Sequence, residues 1–348
     1  MLKLWGRPTS GRMRRSNSQV SSIALAARVL KAGALLASAA FSAHTLAAEP
    51  TYPSKPIRLI VPYPPGGGVD AIARAVSPKL GERLGQPIVI ENRGGAGGNI
   101  GTEVAAHAPR DGYTIVMGAA ALAINVSLYG KLPFDPVRDF APVSLLAATP
   151  NIVTVHPSLP VKSVKDLISL ARRAPQTINY GSAGNGTTSH LAAELFRSMT
   201  KVEIVHVPYK GTTGALTALV SGEAPLMFAP ALTVLPQINA GKLRAVAITS
   251  STRATILPQL PTVAESGLAG YEASQWYGVL APAGVPPQIV SLLSTRVVEA
   301  LREPAVSSRL SQEGSIPIGS TPAEFAAHLT AEIDKWAKVV KQSGARVD

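Results

Sequence analysis

Three consecutive glycines, Gly66 to Gly68, stand between a strand-like run and a helix-like run. The run from Ile57 to Val61 is short, apolar and β-branched, as in a strand that is buried on both faces. From Val69 onward, apolar residues recur at the spacing of one helix face. Bare backbone N–H groups at the start of a helix carry about half a positive charge, so they can bind an anion without a lysine or arginine. This loop is therefore a candidate for one side of a carboxylate-binding cleft. A tight β–α turn that only needs glycine is the alternative interpretation.

Other segments that follow predicted strands repeat this composition. Residues 118–125, 181–189 and 209–213 are interpreted as loops rich in Gly, Ser, Thr, Asn or Tyr, or in small Ala. In an open α/β sheet, ligands bind at the carboxyl ends of the strands, where such loops gather. These side chains hydrogen-bond or leave space, and they are weak nucleophiles. The repeated pattern favours recognition of a polar anion over catalysis.

Four side chains near these loops each have two interpretations. His190 either lines the cleft or packs under its loop and bonds to the backbone. Lys210 either faces an anionic ligand or is solvated. Ser182 is interpreted as a hydroxyl ligand or helix cap, because Gly181-Ser-Ala lacks the G-x-S-x-G turn of a serine nucleophile. Asp70 is interpreted as the cap of its helix, with contact to a ligand ammonium or hydroxyl as the alternative.

Several function classes lack the residues that they need. The chain has no cysteine, which excludes thiol catalysis, iron–sulfur clusters and cysteine-based zinc sites. Its histidines show neither H-x-H nor H-x-x-x-H spacing. The glycines of 95–101 are spaced G-x-G-x-x-x-G, one residue longer than the dinucleotide fingerprint, and no acidic residue stands about twenty positions beyond them. We therefore predict no cofactor, no metal and no enzymatic activity.

Residues 1–48 have the composition of an export signal. They carry seven basic residues and no acidic one, and a small apolar segment, Ala32 to Ala48, follows the basic part. A retained membrane anchor is the alternative. Removal of this leader leaves 26 basic and 21 acidic residues, a net charge of +5 that is scattered along the chain. Such a chain does not resemble a nucleic-acid-binding protein, and we predict a periplasmic protein that binds none.

The remaining chain alternates strands and helices, which predicts an α/β fold with parallel strands. Phe140 to His156 and Ala273 to Ala281 are extended and lack a helix period, so they are interpreted as two crossings between lobes. No strand beyond the second crossing is evident in the C-terminal part, which is predicted to be helical and to return to the first lobe. The predicted lobes are residues 49–150 with 276–348, and residues 151–275.

The ordered motifs of the mature chain resemble one family, the periplasmic receptors of tripartite tricarboxylate transporters, also called Bug receptors. The resemblance covers about 300 residues and rests on these segments: Tyr52-Pro-Ser-Lys-Pro-Ile-Arg-Leu-Ile-Val-Pro-Tyr-Pro-Pro-Gly-Gly67, Glu91-Asn-Arg-Gly-Gly-Ala-Gly-Gly-Asn-Ile-Gly101, Asp111-Gly-Tyr-Thr114, Tyr180-Gly-Ser-Ala-Gly-Asn-Gly186, His190-Leu-Ala-Ala-Glu-Leu-Phe196, Val207-Pro-Tyr-Lys-Gly211 and Ala240-Gly-Lys-Leu-Arg-Ala245.

This resemblance implies a two-lobed periplasmic-binding-protein (Venus-flytrap) fold with two hinge-crossing strands. In the family, a small carboxylate is held mainly by backbone N–H groups, hydroxyls and bridging waters, and is delivered to a membrane permease. The family motifs fall on the same glycine-rich loops. Together they give these candidate ligand-binding residues: Tyr63, Pro65, Gly66, Gly67, Ser182, Gly184, Thr187, Thr188, His190, Tyr209, Lys210 and Ala229.

One departure from the family pattern bears on the ligand. Many relatives have an acidic residue after the strand at Leu226 to Phe228, where this chain has Ala229-Pro230. Its loss disfavours a ligand with a free ammonium group, so we predict a mono- or dicarboxylate, aromatic acids included, and a monomeric receptor. Two rival interpretations are an exported α/β hydrolase that uses Ser182 and His190, and a co-receptor for a membrane sensor kinase.

Overall fold

The computed structural model describes residues 52–254, 257–312 and 314–346. The predicted leader, residues 1–48, lies outside the described residues. The strands are β1 Ile57–Val61, β2 Ile88–Asn92, β3 Thr114–Ala119, β4 Phe140–Val155, β5 Asn179–Ser182, β6 Val205–Pro208, β7 Leu226–Pro230, β8 Arg244–Ile248, β9 Ser274–Pro282 and β10 Ile316–Pro317. The described helices are α1 Gly68–Leu84, α2 Asn99–Ala106, α3 Ala120–Leu128, α4 Val164–Arg173, α5 Thr188–Thr200, α6 Thr212–Ser221, α7 Ala231–Asn239, α8 Pro287–Arg302, α9 Pro304–Gln312 and α10 Pro322–Ser343.

The strands form one mixed sheet in the order β2-β1-β3-β9-β4-β7-β5-β6, with β8 and β10 each pairing with β4. Strand β1 runs parallel to β2 and β3, and β5 runs parallel to β6 and β7. Strands β9 and β4 are antiparallel to their neighbours at the centre. The α/β class is confirmed, with antiparallel strands joining two parallel groups.

Strand β4 links the two groups because it changes partners along its length. Its residues from Phe140 to Pro150 pair with β9, and those from Asn151 to Val155 pair with β7. Most of β4 is buried, as expected of a central apolar strand. The two segments interpreted as crossings are thus β4 and β9. The lobe limits, 49–150 with 276–348 and 151–275, stay a prediction.

Two local interpretations were wrong. Residues 118–125 are not a loop, because α3 begins at Ala120 directly after β3. Its start has no polar capping side chain, so the alanine-rich sequence gave no signal of a helix start. The C-terminal part also contains a strand, β10, which pairs with Ala147 and Ala148 of β4. Two residues, one of them proline, carry no readable strand period.

The C-terminal helix α10 is fixed at its start and at its middle. Thr321 and Glu324 form a capping box. In the middle, the Glu332 carboxylate accepts the indole N–H of Trp336 at 2.8 Å and that of Trp276 in β9 at 3.0 Å. Trp276 is therefore a buried core residue. None of the helices described is long and apolar enough to cross a membrane.

Candidate functional site

Two adjoining cavities lie where β1, β5 and β7 end and where α1 and α5 begin. The first has a volume of about 360 Å³ and the second a volume of about 400 Å³. Four residues line both: Val69, Thr188, Pro230 and Gln275. The other residues around the first are Gly68, Ala71, Ile72, Thr149, Asn151, Leu232, Thr233, Tyr277 and Ser315. Those around the second are Tyr63, Gly97, Ala121, Ile124, Asn125, Leu128, Tyr129, Ala183, Asn185, Gly186, Thr187, Ser189 and Thr212.

The first glycine loop, residues 62–67, joins β1 to α1. The first helical hydrogen bond of α1 runs from Ala71 N–H to Gly67 O at 2.9 Å. Helix geometry therefore leaves the amides of Gly68 and Val69 without an intrahelical acceptor, and both residues line the first cavity. A side chain at Gly68 would be crowded, because a Cβ there would stand 3.0 Å from the Tyr277 hydroxyl. The start of α1 thus presents backbone donors to the first cavity.

The carboxylate of Asp70 holds the first glycine loop in place. It accepts the Gly66 N–H at 2.9 Å, the Arg74 guanidinium at 2.8 Å and the Asn92 amide at 3.0 Å. These hydrogen bonds, the one from Arg74 foremost, lower the pKa of Asp70 to about 2. The Gly66 amide is therefore engaged by the protein itself. Asp70 anchors its loop and lines neither cavity.

The predicted residues of the first loop divide into two groups. Tyr63 lines the second cavity, and its hydroxyl is 3.5 Å from Gly97 O. Burial, with Tyr277 and Tyr129 nearby, raises the pKa of Tyr63 far above its ordinary value, so its phenol stays neutral. Pro65, Gly66 and Gly67 are exposed and stand outside the residues around both cavities.

The second glycine loop, residues 183–187, joins β5 to α5. Thr187 caps α5, donates from its hydroxyl to Gly184 O at 2.7 Å and lines the second cavity. Thr188 lines both cavities, and its side chain has no hydrogen-bond partner in the part of the chain that is described. Gly184 has a φ of +126°, which only glycine adopts readily, and lies within the loop.

A stack of two imidazoles supports the second glycine loop from below. The His190 and His206 rings lie 3.9 Å apart and nearly parallel. His190 Nδ1 accepts the Gly186 N–H at 3.1 Å, and His206 Nε2 is 2.6 Å from the Ser182 hydroxyl. Burial lowers the pKa of each histidine to about 4, so both are neutral at pH 7.

Ser182 and His190, the two residues of the hydrolase alternative, do not hydrogen-bond to each other in the structure. Ser182 is fully buried, and its hydroxyl contacts His206 in place of His190. His190 is 4% exposed and lies outside the lining of both cavities, in the position beneath its loop. Neither the Ser182 hydroxyl nor the His190 ring lines a cavity where it could contact a substrate.

Three further predicted residues, Tyr209, Lys210 and Ala229, lie outside the lining of both cavities. The Tyr209 hydroxyl donates to Glu223 at 3.0 Å. Lys210 is exposed and does not belong to the lining of either cavity. Ala229 is fully buried, and the next residue, Pro230, lines both cavities.

Most of the lining residues of the two crossing strands and of α3 were not predicted as ligand-binding residues. Thr149 and Asn151 belong to β4, and Gln275 and Tyr277 belong to β9. The sequence feature that could have indicated these four residues is their position in the extended crossing segments. Asn125 belongs to α3, which was interpreted as a loop.

The side chains that line the two cavities are uncharged. Of the described residues that line the two cavities, none is Lys, Arg, His, Asp or Glu. The donors available to a ligand are backbone amides, hydroxyls and the carboxamides of Asn185 and Gln275. Within the described residues, no three histidine or carboxylate side chains are close enough together to hold a metal ion. The arrangement can bind a small polar molecule.

Comparisons with known proteins agree on one family. The family model described as "Tripartite tricarboxylate transporter family receptor" matches residues 72–345. Protein BugT of Bordetella pertussis (strain Tohama I) is 38% identical over 299 residues, which cover 85% of this chain and 92% of BugT.

Two solved structures are similar over nearly the same span. Rpa4515 of R. palustris with adipate has a TM-score of 0.70 and 40% identity, with 85% of this chain and 100% of that one covered. MatC of Rhodopseudomonas palustris with bound malate has a TM-score of 0.67 and 34% identity, with 83% and 100% covered. The predicted solute-binding-protein fold is confirmed.

Proposed function

Because the chain belongs to the tripartite tricarboxylate transporter receptors, the family that its motifs predicted, we propose that it captures a small carboxylate in the two cavities and delivers it to a membrane permease. Receptors of this family are periplasmic solute-binding proteins, and the predicted leader, residues 1–48, would export the chain. The proposed ligand is a mono- or dicarboxylate, aromatic acids included.

One observation carries the proposal: two adjoining cavities that are lined by neutral donors at the starts of two helices. Gly68 and Val69 begin α1, and Thr188 begins α5. An anion at such a position is stabilised by the helix dipoles and by unpaired amides, at no cost of desolvating a lysine or arginine. Both similar structures named above hold dicarboxylates, adipate and malate.

The proposed ligand lacks an ammonium group. Among the described residues, no carboxylate lines either cavity. Pro230, which lines both cavities at the end of β7, cannot supply the negative charge that a ligand ammonium would need there. Asp70 lies between the lining residues Val69 and Ala71 in the sequence, but its carboxylate is already paired with Arg74. A buried ammonium without a counter-charge is strongly disfavoured, so amino acids should bind weakly.

Capture would involve closure of two lobes about β4 and β9. The proposed lobes are residues 49–150 with 276–348, and residues 151–275, and each supplies one glycine loop. A ligand favours closure only by contacts that it makes better in the closed state. The shared residues Val69, Thr188, Pro230 and Gln275 come from both sides, so one ligand can contact both. The closed, monomeric receptor would then meet the permease.

Titration calorimetry with adipate, malate, benzoate, aspartate and glutamate tests the proposal. We expect at least one acid without an ammonium group to bind at least tenfold more tightly than either amino acid, with no turnover of any probe. Binding of the amino acids alone would overturn the ligand class. Absence of binding by every probe, or hydrolysis of carboxylate esters by the protein, would count against the receptor.

A matched pair of variants tests the site. Thr188→Val removes one free hydroxyl from both cavities and should weaken the tightest ligand about tenfold, the worth of one hydrogen bond to a charged group. Thr213→Val makes the same change at an exposed position in the first turn of α6 and should leave affinity within twofold. Equal effects of the two variants would remove Thr188 from the site.

A further inference from the structure

A groove with a volume of about 720 Å³ lies beside α4 in the second proposed lobe. It is bordered by α4, by the end of α5 and by residues 266–269. We call it the α4 groove, and its larger side chains are those of Lys165, Ile168, Arg172, Arg173, Met199 and Leu268. None of its described residues lines either ligand cavity. A role of the α4 groove is therefore separate from the capture of a carboxylate.

The α4 groove is positively charged. Three of its residues are exposed cations that form no ion pair with a carboxylate in the described part of the chain: Lys165, Arg172 and Arg173. Of the described residues that line the groove, none is acidic. Two carboxylates are close to the lining in sequence. Asp166 accepts the Lys162 N–H at 3.0 Å, and Glu265 pairs with Arg253 at 2.8 Å. Both are thus engaged elsewhere, and the charge of the groove is not neutralised.

Uncharged acceptors hold the two arginines of the α4 groove. Arg172 donates to Thr200 O at 3.3 Å, and Arg173 donates to the Ser169 hydroxyl at 3.1 Å. A guanidinium has several N–H donors in a fixed plane, so one such bond leaves the others available to an anion. The two acceptors therefore position the guanidinium groups and leave their positive charge in place.

Helix stability explains only part of this charge. Arg172 and Arg173 are in the last turn of α4, where the helix dipole favours cations. Lys165 is in the first turn, where the same dipole disfavours a cation. Residues 165 and 172 are about 10 Å apart along the helix axis. The positive charge thus extends along α4, which suits a chain with several carboxylates better than one small anion.

Apolar side chains accompany the cations. Ile168 and Leu268 are partly buried, and Met199 is 37% exposed. Ile168 is three residues after Lys165 and four before Arg172, so it lies between them on one face of α4. A small inorganic anion would leave these apolar groups uncovered. A polypeptide segment can cover them while its carboxylates contact the cations.

We propose that the α4 groove docks an acidic segment of a partner protein, one that carries several carboxylates and at least one apolar side chain. The carboxylates pair with Lys165, Arg172 and Arg173, and the apolar side chain packs on Ile168. The attraction between unlike charges speeds association and weakens as salt is added. This inference goes beyond ligand capture and does not depend on it.

Calorimetry on the mature protein with three synthetic octapeptides tests the docking surface. The first alternates glutamate and leucine, the second glutamate and serine, and the third lysine and leucine. We expect the first to bind about fivefold more tightly than the second, because burial of one leucine side chain in part contributes on the order of 1 kcal/mol. The third should bind at least about tenfold more weakly than the first. Raising NaCl from about 0.05 M to about 0.5 M should weaken the first peptide about tenfold.

A matched pair of charge reversals locates the effect. Lys165→Glu places an acid in the first turn of α4, where the helix dipole favours it, so the fold should be kept. It should weaken the glutamate–leucine peptide about fivefold. Lys131→Glu makes the same change in net charge at an exposed residue of the first proposed lobe, outside the α4 groove. It should change the affinity for the peptide less than about twofold. Equal effects of the two variants would overturn the α4 groove as the docking site.

Other occupants of the α4 groove give different results. Tighter binding to phosphatidylglycerol vesicles than to the glutamate–leucine peptide, lost in Lys165→Glu, would overturn the proposal and assign the groove to a membrane surface. Displacement of the peptide by an equal concentration of inorganic phosphate would overturn it in favour of a small anion. Equal binding of the acidic and basic peptides would remove any role of charge. Lys165→Glu should leave the affinity for the tightest carboxylate unchanged, so a failure of ligand capture is measured separately.

Discussion

The two glycine loops beside the cavities are anchored by the same kind of hydrogen bond, but the accepting side chain is charged in one loop and neutral in the other. In each loop a glycine N–H donates to a side chain four residues later: Gly66 to the Asp70 carboxylate, and Gly186 to the His190 imidazole. Asp70 is charged and paired with Arg74, whereas His190 is neutral and stacked on His206. A loop that must receive an anion can thus be anchored by a neutralised carboxylate or by a neutral ring. What both anchors avoid is an uncompensated negative charge next to the site.

The two anchors should also respond to acid in different pH ranges. The His190 and His206 pKa values lie near 4, below their ordinary value of 6.5. The Asp70 pKa lies near 2, below its ordinary value of 3.8. Falling pH should therefore weaken the second glycine loop first and the first glycine loop only in strong acid.

The largest effect is expected from His190→Leu, which removes the acceptor of the Gly186 N–H and the ring that stacks on His206. His190 is almost fully buried, so the unpaired amide and the altered packing should lower the free energy of unfolding by about 2–4 kcal/mol. Urea unfolding at pH 7 measures this loss. His107→Leu, at an exposed histidine, is the control and should change stability by less than about 0.5 kcal/mol. A loss below about 1 kcal/mol for His190→Leu would mean that the stack does not anchor the loop.

The next effect is the pH dependence that the imidazole stack should cause. Between pH 6.5 and 4 the unfolded histidines bind protons that the folded ones exclude, so the stability of the fold decreases as the pH falls through this range. The groups that face the stack are Tyr180, whose ring stacks on His206 with the ring centroids 4.9 Å apart, Glu194, whose Oε1 is 4.0 Å from His190 Nε2, and Arg197, which pairs with Glu194 and opposes protonation. The expected loss from pH 7 to 4.5 is on the order of 1–3 kcal/mol.

Urea unfolding of the wild type and of His206→Asn at pH 7 and pH 4.5 tests this dependence. The variant keeps His328, whose pKa is also lowered by burial, so the difference between the two proteins reports the stack alone. We expect a smaller loss in the variant than in the wild type. Equal losses would assign the pH dependence to other groups.

The contrast between the loops also marks how far the sequence could predict the site. Glycine-rich segments after apolar strands were enough to find both loops and the starts of α1 and α5, and extended runs without a helix period indicated β4 and β9. The orientation of each side chain was not readable, because it depends on the sheet order and on contacts between distant segments. Ser182 and His206 meet across neighbouring strands, 24 residues apart in the chain.

The missed lining residues have the same explanation. Gln275 and Asn151 reach the cavities only because β9 and β4 are adjacent at the centre of the sheet. Helix α3 was missed because its first turn has no capping side chain. Local propensity thus predicted the elements, and tertiary contacts decided which residues line the cavities.

The smallest effect is expected from Asp70→Asn. Asparagine keeps one oxygen that can accept from Gly66 N–H and Arg74, but it loses the negative charge, and its NH2 cannot accept the Asn92 amide, so stability at pH 7 should fall by about 1 kcal/mol. Because the folded pKa of Asp70 is lowered, its contribution is complete above pH 3.8 and is lost as the pH falls through about 2. The variant should therefore approach the wild type in stability as the pH falls from 4 to 2, whereas the difference between the two proteins should stay the same between pH 7 and pH 4.

Asp334→Asn is the control, since Asp334 is an exposed carboxylate on α10 and its loss should change stability by less than about 0.5 kcal/mol. A loss for Asp70→Asn as large as that for His190→Leu would show that the charged anchor is as important as the buried one. It would also show that the Arg74 pair is worth more than an ordinary charge-assisted hydrogen bond, which would remove the proposed difference between the two loops.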